Sequence, residues 1–151
     1  MNLLDSPLDD DLGYTLARTH RRLKLGLKRA FKARGLSLTP EQWGILNILW
    51  EGDGLRQVDL AARVGKDAPN LTRIIDLMIK QGLVTRRPDP GDRRSFRIVL
   101  TPAGRGCQEE LEGVVNGYLD RALAGLEPRE LNRLMRTLKL INRNLDDLGI
   151  D

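Results

Sequence analysis

Between Lys66 and Thr101 the spacing of apolar residues changes its period. Leu71, Ile74, Ile75, Met78 and Ile79 recur three and four apart, the stripe of an amphipathic helix. Phe96, Ile98 and Leu100 then alternate with Ser95, Arg97 and Val99, the two-residue period of a half-buried strand. "LVTRR" and "PDPGDR" lie between them and supply a first strand and a turn. A two-stranded hairpin is marginal in water by itself, so it must pack on helices that the rest of the chain provides.

Those helices are legible upstream. In "LTPEQWGILNILWEG", Thr39 and Gln42 form a capping box and Pro40 takes the first helical position. Trp43, Ile45, Leu46, Leu49 and Trp50 supply its buried side, and "EGDG" ends it. "RQVDLAARVG" is a short helix closing at Gly65. The helix of residues 66–82 follows, with Asp67 as its cap and Pro69 tolerated in its first turn. Helix, helix, turn, helix, hairpin is the order of a winged helix-turn-helix.

Two long helical patterns flank this block. Residues 10–34 carry Leu12, Leu16, His20, Leu23, Leu27 and Phe31 on one stripe, with Gly35 as the stop. Thr101-Pro102 opens a helix to about Leu123, with Cys107, Leu111, Val114, Val115, Tyr118 and Ala122 on its stripe. Leu131, Leu134, Leu138, Ile141, Leu145 and Leu148 follow at alternating intervals of three and four, the seam of a coiled coil. That seam is too long and too apolar to leave in water. The fold class is therefore mainly α with a small β-hairpin wing. Residues 36–101 form the winged helix-turn-helix, and residues 1–35 and 102–151 form a helical dimerisation region.

Charge narrows the function. Net charge is +4, but eleven Lys/Arg stand against five Asp/Glu between Gly54 and Arg105, so the middle of the chain is a basic block. Such a patch is the electrostatic footprint of a polyanion. The plain alternative is a solvated face, with charges that blunt a hairpin edge. The helix start weighs against it. Arg73 suits bidentate contact with guanine and Asn70 with adenine, while Thr72 suits a phosphate or a thymine methyl. The helix N-terminus itself favours phosphate. An arginine at the hairpin tip suits a minor groove. The candidate double-stranded-DNA surface is Asp67, Ala68, Pro69, Asn70, Thr72 and Arg73 on the helix, with Arg86, Asp92, Arg93, Arg94 and Arg97 on the hairpin. A dimeric interaction module with an acidic protein partner is the competing reading, but it leaves the Asn-x-Thr-Arg face without a purpose.

Other classes find little footing. The single His20 and single Cys107 make no transition-metal set, and no nucleophile, base and orienting group come together, so neither enzyme nor cofactor is expected. A lone cysteine on an apolar stripe is most often inert. No apolar run reaches the ~20 residues of a membrane span. The acidic opening "MNLLDSPLDDD" lacks a secretory pattern, and a cytoplasmic location is expected.

"LAARVGKDAPNLTRIIDLMIKQGLVTRRPDPGDRRSFRIVLTPAGR" resembles the MarR (multiple antibiotic resistance regulator) family, with its D-x-R wing tip and T-x-x-G-R helix start. The resemblance extends over nearly the whole chain. It implies a homodimeric transcription regulator, usually a repressor at a palindromic operator, and in many cases one that answers a small aromatic or phenolic ligand. A ligand-independent DNA-binding regulator is the milder alternative. The resemblance makes Arg94 the minor-groove residue, oriented by a salt bridge from Asp92, and Arg86 and Arg97 phosphate contacts. Here "DAPN" carries Pro69-Asn70 where Ser-Thr often stands, which leaves base preference open. The first and last two helices would form the dimer interface, through Leu12, Leu16, Leu131, Leu134, Leu138, Ile141 and Leu145. A ligand would sit among His20, Trp43, Trp50 and Tyr118, residues whose plain alternative is packing in the core or, for His20, at an interface. The reactive cysteine of peroxide-sensing relatives lies in the first helix, where this chain has none.

Overall fold

A computed structural model describes residues 11–150. The acidic opening run up to Asp10, which starts the first expected helix, and Asp151 lie outside them. The described residues hold α1 (Leu12–Ala33), α2 (Pro40–Glu51), β1 (Leu55–Arg56), α3 (Gln57–Val64), α4 (Ala68–Lys80), β2 (Val84–Asp89), β3 (Asp92–Leu100), α5 (Pro102–Gly106), α6 (Gln108–Ala122) and α7 (Pro128–Asp147). The chain divides into two compact units, one ending at Tyr118 and one beginning at Leu119.

The first unit owes its shape to signals the sequence displays. Asp11 caps α1 by accepting from Tyr14 N–H, 2.7 Å. Thr39 and Gln42 form the reciprocal capping box that opens α2. Gly65 takes the left-handed conformation (φ 61°) that ends α3, which a residue with a Cβ would adopt only under strain. The stripe of α4 buries Leu71, Ile75 and Met78 completely, against a core of Phe31, Ile45, Leu46, Leu49, Leu60 and Ile98. Each such side chain contributes about 1.5–3 kcal/mol by leaving water.

The wing is an antiparallel sheet in the order β1-β3-β2. Arg86 stands opposite Ile98 and Arg87 opposite Arg97, with an irregularity at Pro88/Asp89 before the turn. The strand β1 is absent from the sequence reading. Its two residues pair with Ile98 and Arg97, a tertiary contact too short to leave a periodic trace.

Two further expectations need correction. The helix expected from Thr101 to Leu123 is two helices, α5 and α6, separated at Cys107. Gly104 and Gly106 are weak helix formers, and the Gly104 carbonyl accepts from Trp50 Nε1, 2.9 Å, and from Cys107 Sγ. A Cβ at Gly104 would run into the Leu83 carbonyl, so only glycine lets α5 sit on the end of the wing. Second, Phe96 does not anchor the hairpin as Ile98 and Leu100 do; it is 46% exposed. Along the α1 stripe Phe31 is fully covered, Leu23 and Leu27 are half-buried, and His20 and the two residues assigned to a dimer interface, Leu12 and Leu16, are exposed.

In the second unit α7 buries no residue. Leu131, Leu138 and Ile141 are half-covered, and Leu134 and Leu145 are exposed. Leu148 is the residue that caps the helix C-terminus.

Candidate nucleic-acid interface

The exposed start of α4 is built by its cap. Asp67 accepts from Asn70 N–H at 2.9 Å and from Asn70 Nδ2 at 2.7 Å. These hydrogen bonds, the backbone one first, hold the Asp67 carboxyl below its ordinary range. The carboxylate occupies the helix N-terminus, so that end is already filled by the protein's own anion. Ala68, Pro69, Asn70 and Arg73 are exposed in the first turns. Arg73 makes no hydrogen bond or ion pair to any described residue. Thr72 is half-buried, and its Oγ1 accepts from Gln57 Nε2 at 3.0 Å.

On the wing the arginines separate into two groups. Arg86 and Arg97 are bound within the domain. Arg86 Nε donates to Gln57 Oε1, 3.1 Å, and Nη1 pairs with Asp76 Oδ1, 2.5 Å. Arg97 Nη1 donates to the Gly54 carbonyl, 2.9 Å, and its Nε lies 3.2 Å from Oδ2 of the buried Asp89. Asp89 Oδ1 accepts from Gly91 N–H and so shapes the turn. Arg93 and Arg94 at the tip are exposed and make no side-chain bond to any described residue. The salt bridge expected between Asp92 and Arg94 does not form. Asp92 Oδ1 instead accepts from the backbone N–H of Arg94, 2.9 Å. This is the local side-chain-to-backbone bond that aspartate makes readily in turns. It orders the tip backbone and leaves the Arg94 guanidinium open to solvent. Arg94 and Phe96 border a notch of about 270 Å³ shared with Val58, Ala61 and Ala68.

Sequence reasoning missed Arg87, Gln57 and Asp53. Arg87 is exposed and stands directly opposite Arg97, a like-charge pair that weakens a sheet unless an anion lies over it. Its signal was present in "TRRPD". Gln57 carried no signal, because its partners lie in α4 and β2. Asp53 accepts from Leu100 N–H and Gly54 N–H and pairs with Arg105 at 2.6 Å, tying the end of α2 to the wing and α5.

The four candidate ligand residues are not brought together. His20 borders a groove of about 480 Å³ between α1, α2 and the α3–α4 turn, with Lys24, Ile45, Ile48, Val64, Lys66 and Ile74. Trp43 stacks edge-on against Trp50 (5.5 Å) and tilted against Phe31 (6.5 Å), and Trp50 bonds Gly104. Tyr118 donates to the Leu23 carbonyl, 3.0 Å. In the groove Lys24 pairs with Glu41. Burial alone would raise the Glu41 carboxyl, but the Lys24 hydrogen bond and charge outweigh it and lower it. Cys107 is half-buried, and desolvation raises its thiol pKa, which disfavours the reactive thiolate. Among the described residues no group of three His, Cys, Asp or Glu could hold a metal ion, and no helix is long and apolar enough to cross a membrane.

Comparison with known proteins bears on this arrangement. The MarR family model matches residues 38–96, from the start of α2 to the middle of β3. A MarR-family transcriptional regulator from Silicibacter pomeroyi is 30% identical over 96% of this chain and 97% of its own, with a TM-score of 0.77. The chain belongs to the MarR family. A probable transcriptional regulator from Pseudomonas aeruginosa, also 30% identical, covers 89% of this MarR-family chain and 99% of its own, at a TM-score of 0.81. A third relative is the repressor CouR. Bound to a 23-mer DNA duplex it is 29% identical, over 89% of this chain and 94% of its own, at a TM-score of 0.81. CouR from Rhodococcus jostii RHA1 bound to p-coumaroyl-CoA is 28% identical, over 91% and 95%, at 0.78. The mainly helical architecture with a three-stranded wing is that of this MarR family.

Proposed function

We propose that this MarR-family regulator acts by binding double-stranded DNA in the cytoplasm, as a homodimer on a palindromic operator, and is released by a small aromatic or anionic ligand. The observation that carries the reading is the sorting of the wing arginines. Arg86 and Arg97 are bonded within the domain, while the side chains of Arg93 and Arg94 at the tip and of Arg73 on α4 make no bond to any described residue. Exposed, unpaired guanidinium groups on two adjacent elements suit a polyanion that has a groove beside a ridge. α4 then presents Asn70 and Arg73 to the major groove, and Arg94 enters the minor groove beside it. Arg87 and Arg93 neutralise phosphates. The exposed apolar residues of α1 (Leu12, Leu16) and of α7 each pair with a second copy, which sets half-sites about one DNA turn apart, ~10 bp. CouR, with its DNA and p-coumaroyl-CoA complexes, supports both the DNA partner and the ligand. The His20 groove is lined by Ile45, Ile48, Val64 and Ile74 together with Lys66 and the Lys24–Glu41 pair, and suits such a ligand.

The test is selection of duplexes from a random pool, followed by fluorescence anisotropy. Arg94→Ala weakens binding by about tenfold or more and leaves the dimer intact. Binding equal to wild type removes Arg94 from the interface.

A further inference from the structure

The Arg86 guanidinium sits where three elements meet. It projects from β2, donates through Nε to Gln57 Oε1 (3.1 Å), and pairs through Nη1 with Asp76 Oδ1 of α4 (2.5 Å). Gln57, the first residue of α3, passes its amide nitrogen to Thr72 Oγ1, also on α4 (3.0 Å). Arg86 Nη2 is buried and has no hydrogen-bond partner among the described residues. About a quarter of the side chain is exposed. A phosphate cannot reach Nη2 while the network stands, and Nε and Nη1 are already engaged. The same bonds join the wing to the centre of α4, one residue from Arg73.

We infer that Arg86, Gln57 and Asp76 form a positioning network that fixes the angle between wing and α4, so that Arg94 and Arg73 meet DNA together. This rests on the DNA-binding reading above. The chemistry favours arginine. Its planar fork holds two partners in fixed directions, which the rotating ammonium of lysine does not. A wing held in place before contact loses less freedom on binding. Asp76 makes the inference separable from simple electrostatics. An acid on the exposed side of α4 repels phosphate, so its removal strengthens binding unless it positions something.

The experiment compares wild type, Arg86→Lys, Asp76→Ala, Arg94→Ala and the Arg86→Lys/Arg94→Ala pair on one duplex selected by the wild-type protein. Each variant is measured well below its thermal midpoint. Arg86→Lys keeps the charge yet weakens binding by about tenfold or more. Asp76→Ala, which removes the acceptor of the Arg86 bond, weakens it although it also removes a negative charge. Arg94→Ala adds less in the Arg86→Lys background than alone, because the misplaced wing has already lost that contact. Wild-type affinity in Arg86→Lys, tighter binding by Asp76→Ala, or full additivity overturns the inference. If Arg86→Lys does not fold, the sign of the Asp76→Ala effect decides. If the wild-type protein enriches no duplex at all, the DNA-binding reading itself has failed, and the inference falls with it for that separate reason.

Discussion

Two amphipathic helices, α4 and α7, carry apolar stripes of similar regularity and meet different fates. On α4, Leu71, Ile75 and Met78 are wholly buried by α2, α3 and the wing. On α7 nothing is buried, although the helix is longer and its leucine spacing stricter. The difference teaches what a stripe does and does not specify. It fixes which face must leave water, but not whether the same chain covers it. The cover for α4 lies within its own unit. A 20-residue helix, about 30 Å long, with five Leu/Ile on one seam is only marginal without a partner.

The largest effect should fall on α4. Ile75 is fully buried, so Ile75→Ala opens a cavity in the core and costs about 2–5 kcal/mol. Denaturant titration reads this as a lower midpoint at unchanged slope. A loss under 1 kcal/mol would mean that α4 is not the finished helix described above.

Leu138→Asp on α7 should act on assembly instead. Placing a carboxylate in a seam that a second copy covers should raise the dimer dissociation constant roughly a hundredfold. Sedimentation or light scattering across dilution reads that shift. An unchanged mass at every concentration would show that α7 does not bring the copies together, and the contrast between the helices would need another cause.

How much of this could be read beforehand follows from the range of the forces involved. Caps are local, so Thr39 with Gln42 and Asp67 with Asn70 stand in the sequence as they stand in the fold. Periodicity is local too, and it located α1, α2, α4, α7 and the hairpin. The sequence reading failed where a residue's partner lies far along the chain. β1 exists only because Leu55 and Arg56 meet β3. The break at Cys107 accompanies a bond from Trp50, in α2, to Gly104. The candidate DNA surface was legible as residue types, but not as states. Asp92 and Arg94 were rightly placed at the tip, yet the bond between them goes to the backbone. Arg86 looked like any other wing arginine until Gln57 and Asp76 were seen around it.

The smallest effect concerns how α4 begins, and it sharpens the contrast with α7. The cap of α7 is also acidic: Glu127 N–H donates to Glu130 Oε2 at 2.8 Å. At α4 the hydrogen bonds from Asn70 hold the Asp67 carboxyl below its ordinary range. Because its folded pKa lies below the unfolded one, ionised Asp67 stabilises the fold above the ordinary carboxylate range. That stabilisation fades as pH falls through the unfolded value and is gone below the folded one. Asp67→Ala should therefore lower the thermal midpoint by a constant amount at neutral pH, and the gap from wild type should close on acidification. The group is fully exposed, so the gap is small. It is best read by calorimetry on a series from pH 7 downward, with wild type measured beside the variant at each pH. A gap that stays open below the carboxylate range would mean that the start of α4 depends on the shape of the aspartate and not on its charge. The exposed first turns of α4 would then be held in the same way at every pH.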